Sequence, residues 1–332
     1  MRKVIILLSL FILLVTNSCI KVQAPTAEPD LILRYADNQP EYYPTTQAAQ
    51  YFASLVKERT NGRIEIEVFY NGVLGDEKSV FKQISFGGVD FSRFSLGTLS
   101  ELFPTFSILQ LPYLYRDSEH MWRVLDGEIG TKLLNDTSKH SVWGLCWLDA
   151  GARSFYSNIP ITNTEELKGK TIRVQESELM SRMIELFGAT AVQMSYDDVY
   201  SALKLGIIDG AENNGPSYIS KEHYQVAPFV FLDEHFRLPE IVMMSDVAKT
   251  KIEKIDPTFI DIIKECAQES SLYERQLWKE AEAKADKKMK EVGCVIIKPD
   301  TEELFKLKQT MSPIYEEYEG ELKELINQIL VQ

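Results

Sequence analysis

Side chains that commonly carry catalysis are scarce in this chain. Histidine occurs four times in 332 residues, as His120, His140, His223 and His235, and no two stand at metal-ligand spacing. A zinc helix or a serine–histidine relay therefore has little support. The GxSxG nucleophile elbow, the HExxH helix, the phosphate-binding P-loop and the GxGxxG dinucleotide fingerprint are all missing. Basic residues are a minority, 36 against 49 acidic ones, so the formal net charge is -13, or -15 with Arg2 and Lys3 set aside. Such a surface argues against nucleic acid, whose partners need basic stripes to neutralise phosphates, and against anionic lipid. Of four cysteines, Cys146 sits in the apolar run VWGLCWL and reads as a buried small hydrophobe. A Cys266–Cys294 disulfide is open to the chain, but nothing in the sequence demands it.

One long apolar run is present. Val4 to Val15 holds twelve residues behind Arg2 and Lys3. That is short of the ~20 needed to cross a bilayer but suits a secretory signal. It ends in Thr16-Asn17-Ser18-Cys19, which resembles a bacterial lipoprotein processing site, with Thr16 where leucine is usual. Residues 1–19 are read as a lipoprotein-type signal segment, with Cys19 lipidated and becoming the new N-terminus, and with cleavage near Ala24 and release as the alternative. Residues 20–30 (IKVQAPTAEPD) read as a tether. In that bacterial setting the glycosylation triplet NDT at 135–137 reads as chance.

The remaining 300 or so residues suit two domains. Strand at 31–38, helix at 43–59, strand at 63–70, helix at 76–86 and strand at 89–95 give β-α-β-α-β, the rhythm of a parallel sheet with crossover helices. The rhythm returns later. VWGLCWLDAG and SFYSN read as two strands, TIRVQ as a third, 179–187 as a helix ended by Gly188, and ATAVQM as a strand. Ser195 can cap a helix that Gly206 ends, and 207–214 is a short strand running into a polar loop. Residues 256–292 form a long charged helix, 294–300 a last strand and 301–330 a terminal helix. The two α/β halves lack sequence repetition and suggest two similar domains facing one another.

Three blocks stand out in order: GARSFYSN (151–158), TNTEELKGKTIRVQES (162–177) and MSYDDVYSALKLGIIDGAENN (194–214). With YPTTQAAQYFASLVKERTNGRIEIEVFYNGVLGDEK and ILQLPYLYRDSEHMWRVLDGEIG earlier in the chain, they resemble the solute-binding proteins of tripartite ATP-independent periplasmic (TRAP) transporters. The resemblance implies a two-domain α/β fold of the periplasmic-binding-protein type, with mixed or parallel sheets flanked by helices and a long helix spanning both domains. The implied domains are 31–150 plus 239–280 and 151–238 plus 281–332. It also implies a receptor without catalysis or cofactor, which closes on an organic acid and delivers it to a membrane permease.

Carried onto this sequence, the resemblance makes Arg173 of KTIRV the carboxylate clamp. Arg153 of GARSF and Asn213 of DGAENN become its partners, with Asn214 beside them and Tyr196 set against the ligand. A guanidinium meets a carboxylate with two parallel hydrogen bonds, which lysine cannot copy. Gln175 and Glu176 fall near the same wall. In the first domain Asn38 and Glu41 follow the first strand, while Glu77 and Arg93 fall near the expected cleft. Glu77 is either a hydroxyl acceptor or a helix N-terminal acid favoured by the dipole, and Arg93 either a donor to ring oxygens or an exposed strand residue. His235 is placed at the domain crossover, as hinge, supporting residue or ligand contact. A carboxylate grip facing a hydroxyl-reading wall suits a hexuronate such as glucuronate or galacturonate. Sialic acid, a dicarboxylate or a keto acid are the other acids considered. The rival class is an exported lyase or hydrolase of acidic sugars using Tyr196, His235 or Glu77.

Overall fold

The computed structural model describes residues 28–332 apart from Glu101. The signal segment, Cys19 with its lipidation, the cleavage near Ala24 and most of the tether lie outside the described residues.

The first half follows its hydrophobic pattern. In β1 (Leu31–Ala36) Leu33 and Tyr35 are buried while Ile32 faces out, and β2 (Ile64–Phe69) alternates likewise. Helix α1 (Pro44–Arg59) starts on a proline and buries Ala48, Phe52, Leu55 and Val56. Asn61 and Gly62, both at positive φ, then turn the chain into β2. Asp76 caps α2 (Glu77–Ser85) by accepting from the Ser79 N–H at 2.7 Å. After β3 (Phe91–Ser95) come α3 (Leu96–Leu99), α4 (Pro104–Ile108), α5 (Ser118–Leu125) and α6 (Glu128–Asp136).

The next strand departs from expectation. Rather than two strands, β4 (Val142–Ser157) is one 16-residue strand with register shifts at 144–146, 149–152 and 153–155. These bulges bend it, so one strand serves both halves of the molecule. Its partner is β8 (Phe229–Ser245), a 17-residue strand the sequence pattern did not reveal. Pro239 lies within β8, opposite Asp149 at an irregularity where a missing N–H does not break the ladder. Between them lie β5 (Thr171–Val174), α7 (Glu178–Leu186), β6 (Thr190–Gln193), α8 (Val199–Lys204), β7 (Gly210–Asn213) and α9 (Gly215–Ser220). Gly188 and Gly206 end α7 and α8 at positive φ, as expected. Ser195 precedes a single 3-10 turn but makes no side-chain cap bond.

The order β2-β1-β3-β8-β4-β7-β5-β6, with β9 (Val295–Ile297) on β8, describes one continuous mixed sheet. The expected pair of sheets is thus joined: β8 holds β3 through 240–244 and β9 through 229–231. After α10 (Asp246–Ile255), α11 (Phe259–Glu291) runs 33 residues, about 50 Å. It packs against α1, β4 and α9, elements of both halves, and the Lys/Glu-rich remainder faces solvent. Cys266 and Cys294 lie near its opposite ends, roughly 40 Å apart, and are free thiols rather than a disulfide. The expected terminal helix is three, α12 (Thr301–Thr310), α13 (Ser312–Glu316) and α14 (Gly320–Leu330), because Pro313 and the positive-φ Gly320 interrupt it. Among the described residues no helix is long and apolar enough to cross a membrane.

At the bend of β4, Gly151 has φ +62° and lies against α11. A Cβ there would stand 2.5 Å from Glu282 Oε1 and 2.7 Å from Trp278 Nε1. Gly151→Ala should therefore destabilise the protein by about 1–3 kcal/mol, read as a lower urea midpoint at unchanged slope.

Candidate functional site

The C-terminal ends of β1, β3, β5, β6 and β7 converge on the bend of the β4–β8 pair, and a cavity opens there. Open α/β sheets bind ligands at this position. Of the residues expected at the site, Arg153, Arg173, Asn213, Asn214, Tyr196, Asn38 and Glu77 line the cavity, as do Gln175 and Glu176. Arg93 and His235 are buried behind that lining, and Glu41 is exposed outside it.

The two lining arginines differ in their partners. Arg153 donates from Nε to Glu212 Oε2 at 2.5 Å and from Nη2 to Glu212 Oε1 at 2.8 Å, while Nη1 reaches Asn213 Oδ1 at 2.8 Å. Arg173, only 2% exposed, donates from Nε and Nη2 to the Met194 carbonyl at 3.0 and 2.6 Å. Among the described residues no carboxylate comes within 4.0 Å of its guanidinium. Burial accordingly lowers its pKa, with Glu212 opposing.

Glu212 is the hub beneath this end. Burial would raise its pKa, but Arg153 and the His235 ring outweigh it and hold the carboxyl near 2. His235 sits 3.7 Å from Glu212 and 2.8 Å from Asp233 Oδ2. Burial would lower its pKa as well, yet the two acids push it up to about 9. His235 is thus a charged support for Glu212 and Arg153. Glu212 itself was passed over in the sequence, although the Glu of DGAENN was a visible signal.

The opposite wall is acidic. Arg93 lies at its centre, paired with Asp37 at 2.8 Å, Glu77 at 2.6 Å and Glu240 at 3.0 Å, and bonded to the Asn38 side chain. Burial works against its charge, but the three acids more than compensate. It orders the wall from behind and is not an exposed strand residue. Glu77 is the first residue of α2, and its carboxylate accepts from Arg93 Nη1, the Ser95 hydroxyl and N–H and the Thr98 hydroxyl, at 2.6 to 3.1 Å. Glu240, absent from the sequence-based candidates, holds Arg93 through Oε1. Its Oε2 is buried without a partner, and burial pushes its pKa up to about 7, Arg93 opposing. Its signal was an acid directly after Pro239 in an apolar run.

Tyr196 donates to the Ser217 carbonyl at 2.9 Å, with burial raising its pKa to about 12. The Asn214 side chain caps α9 through the Ser217 N–H at 2.8 Å. Two contacts link the first and second parts of the chain beside the cavity: Tyr43 meets the Ser217 hydroxyl at 2.8 Å in a buried contact, and Lys78 lies 3.6 Å from Glu176. Among the described residues no cluster of three His, Cys, Asp or Glu could hold a metal.

Comparison with known proteins identifies the family. Residues 35–321 match the model of the bacterial extracellular solute-binding proteins, family 7. A solute-binding protein of Chromohalobacter salexigens is 36% identical over 86% of this chain and 84% of its own. A TRAP periplasmic solute-binding protein from Xanthobacter autotrophicus Py2, solved with bound β-D-galacturonate, is 38% identical with a TM-score of 0.85, covering 90% of this chain and 99% of that one. Another from Chromohalobacter salexigens, with bound D-glucuronate, is 33% identical with a TM-score of 0.86 over the same shares. The resemblance first carried by GARSFYSN, KTIRVQES and DGAENN therefore holds, and the chain belongs to family 7 of the bacterial extracellular solute-binding proteins, the solute receptors of TRAP transporters.

Proposed function

We propose that this chain is an extracytoplasmic receptor that holds a hexuronate, such as galacturonate or glucuronate, in the cleft between its halves and hands it unchanged to a TRAP permease. The observation that carries the reading is the buried Arg173 guanidinium, which lines the cavity without an acid of its own. Desolvating a cation costs several kcal/mol, and a carboxylate arriving in the cavity offsets that cost with two parallel bonds. The side-chain amide of Asn213, whose oxygen already accepts from Arg153, offers its N–H groups beside the clamp. The acidic far wall with its hydroxyls suits a polyhydroxylated ligand, and the uronates bound by similar proteins support that choice. A body tethered through lipidated Cys19 at the outer membrane face fits delivery to a permease. Ligand contacts to both walls favour the closed form, because a ligand shifts an equilibrium by its differential affinity for the two states.

Arg173→Ala should weaken galacturonate binding by roughly 2–5 kcal/mol in calorimetry, the range for breaking a desolvated charge pair. Arg173→Lys should recover little of the loss, for want of the planar fork. Unchanged affinity in either variant would remove the clamp, and loss of substrate mass on incubation would indicate an enzyme instead.

The support beneath the clamp has its own pH signature. The His235 value of about 9 lies above the ordinary histidine value of 6.5, so its charged form stabilises the fold fully below pH 6.5. That contribution is lost as pH rises through the folded value. Unfolding free energy should decline between about pH 6.5 and 9, and His235→Gln should flatten the decline. An equal slope in both proteins would show that His235 is not charged in the fold.

A further inference from the structure

Two acids on the far wall could read the ligand, and the hydrogen bonds separate them. Glu77 has five protein donors on two oxygens, Asn38 Nδ2, Arg93 Nη1, the Ser95 N–H and hydroxyl and the Thr98 hydroxyl, which fills a carboxylate's capacity of about four lone-pair sites. Glu240 spends Oε1 on Arg93 and leaves Oε2 buried and unpartnered while its side chain lines the cavity. A buried acceptor without a donor costs free energy unless something supplies one. Among the described residues the one basic group ion-paired with the acids of this wall, Arg93, is already shared among Asp37, Glu77 and Glu240. Three carboxylates around one guanidinium leave nothing to neutralise another anion.

Resting on the uronate reading above, we propose that Glu240 sets the specificity of the cleft: its free oxygen accepts a ligand hydroxyl at the end remote from Arg173 and repels a second carboxylate there. The receptor then takes a sugar acid with one carboxylate and rejects the diacid carrying the same hydroxyls. Like charges placed together in a closed cleft are costly, and building in such a repulsion is a direct route to discrimination. The cavity lining accordingly takes Arg153 and Arg173 from β4 and β5, and Glu77 and Glu240 from the side gathered on Arg93 of β3.

The repulsion must depend on the charge of Glu240. The groups facing it are Arg93 on β3, Asp37 after β1, Glu77 on α2 and Arg153 on β4. Tyr35 on β1, Tyr43 before α1 and Glu274 on α11 lie in the same field. Burial and the neighbouring acids raise the pKa of Glu240 to about 7 against the opposition of Arg93. Above that value the wall carries the full charge, and below it the carboxyl is neutral and can donate.

The test compares galacturonate with galactarate, its diacid counterpart, by calorimetry on the whole mature protein. Wild type at pH 8 should prefer galacturonate by at least about 100-fold, and Glu240→Gln should cut that preference about tenfold or more, chiefly by admitting galactarate. Lowering the pH from 8 to 5.5 should narrow the gap in wild type, a readout that needs no variant, and should leave it unchanged in Glu240→Gln. Glu77→Gln, which disturbs Arg93, should weaken both acids alike. An equal galacturonate-to-galactarate ratio in wild type and Glu240→Gln, or a pH-independent wild-type ratio, overturns the inference while leaving the uronate reading intact. If wild type binds neither acid, the uronate reading fails and this inference falls with it.

Discussion

The antiparallel pairing of β4 with β8 is the constraint on which the rest depends. These two strands run the length of the molecule, and their bulges turn one sheet into two opposed halves. They also carry the side chains beneath the cavity. Arg153 projects from β4, and Glu240, His235 and Asp233 come from β8. The bend that makes the cleft therefore also places the charges that fill it. Helix α11 lies against this bend, and the lack of a side chain at Gly151 allows the approach. A hinge built from continuous strands limits the ways the halves can move relative to each other.

Three buried arginines surround the cleft and represent three electrostatic solutions. Arg93 has three acids, Arg153 has one acid supported by a charged histidine, and Arg173 has none. The first two are satisfied within the fold and serve to hold other groups in place. The third has no acid partner among the described residues and is the group that the proposed function assigns to a ligand carboxylate. Under the proposed function, this gradient reconciles a net charge of -13 with an anionic ligand. Surface charges are screened over about 8 Å at physiological salt, whereas a guanidinium in a closed cavity is not. The binding potential is local.

Elements with a clear period were legible in the sequence, because a strand or helix burying one face must show its period in the residues. That covers β1 to β3, α1, α2, β5, α7 and α11. Strand β8 escaped because it is buried on both faces along much of its length and contains Pro239, so it shows neither alternation nor a strand-like composition. The single sheet escaped because Val142 pairs with Ser245, a hundred positions away, and no local pattern records such a partner. At the site, Arg173 stood out because its block is contiguous and carries the family resemblance. Glu240 did not, because its character comes from Arg93 on another strand and from an unfilled hydrogen bond.

The sequence by itself determined the α/β class, the long helix, the family resemblance and the presence of arginines where an acid would be gripped. It could do so because these follow from residue type and short-range spacing. Only the tertiary structure decided which arginine is free and which are spent, which carboxylate is saturated and which is open, and that both halves share one sheet. Those properties are sums over neighbours brought together from distant parts of the chain, and burial sets their magnitude.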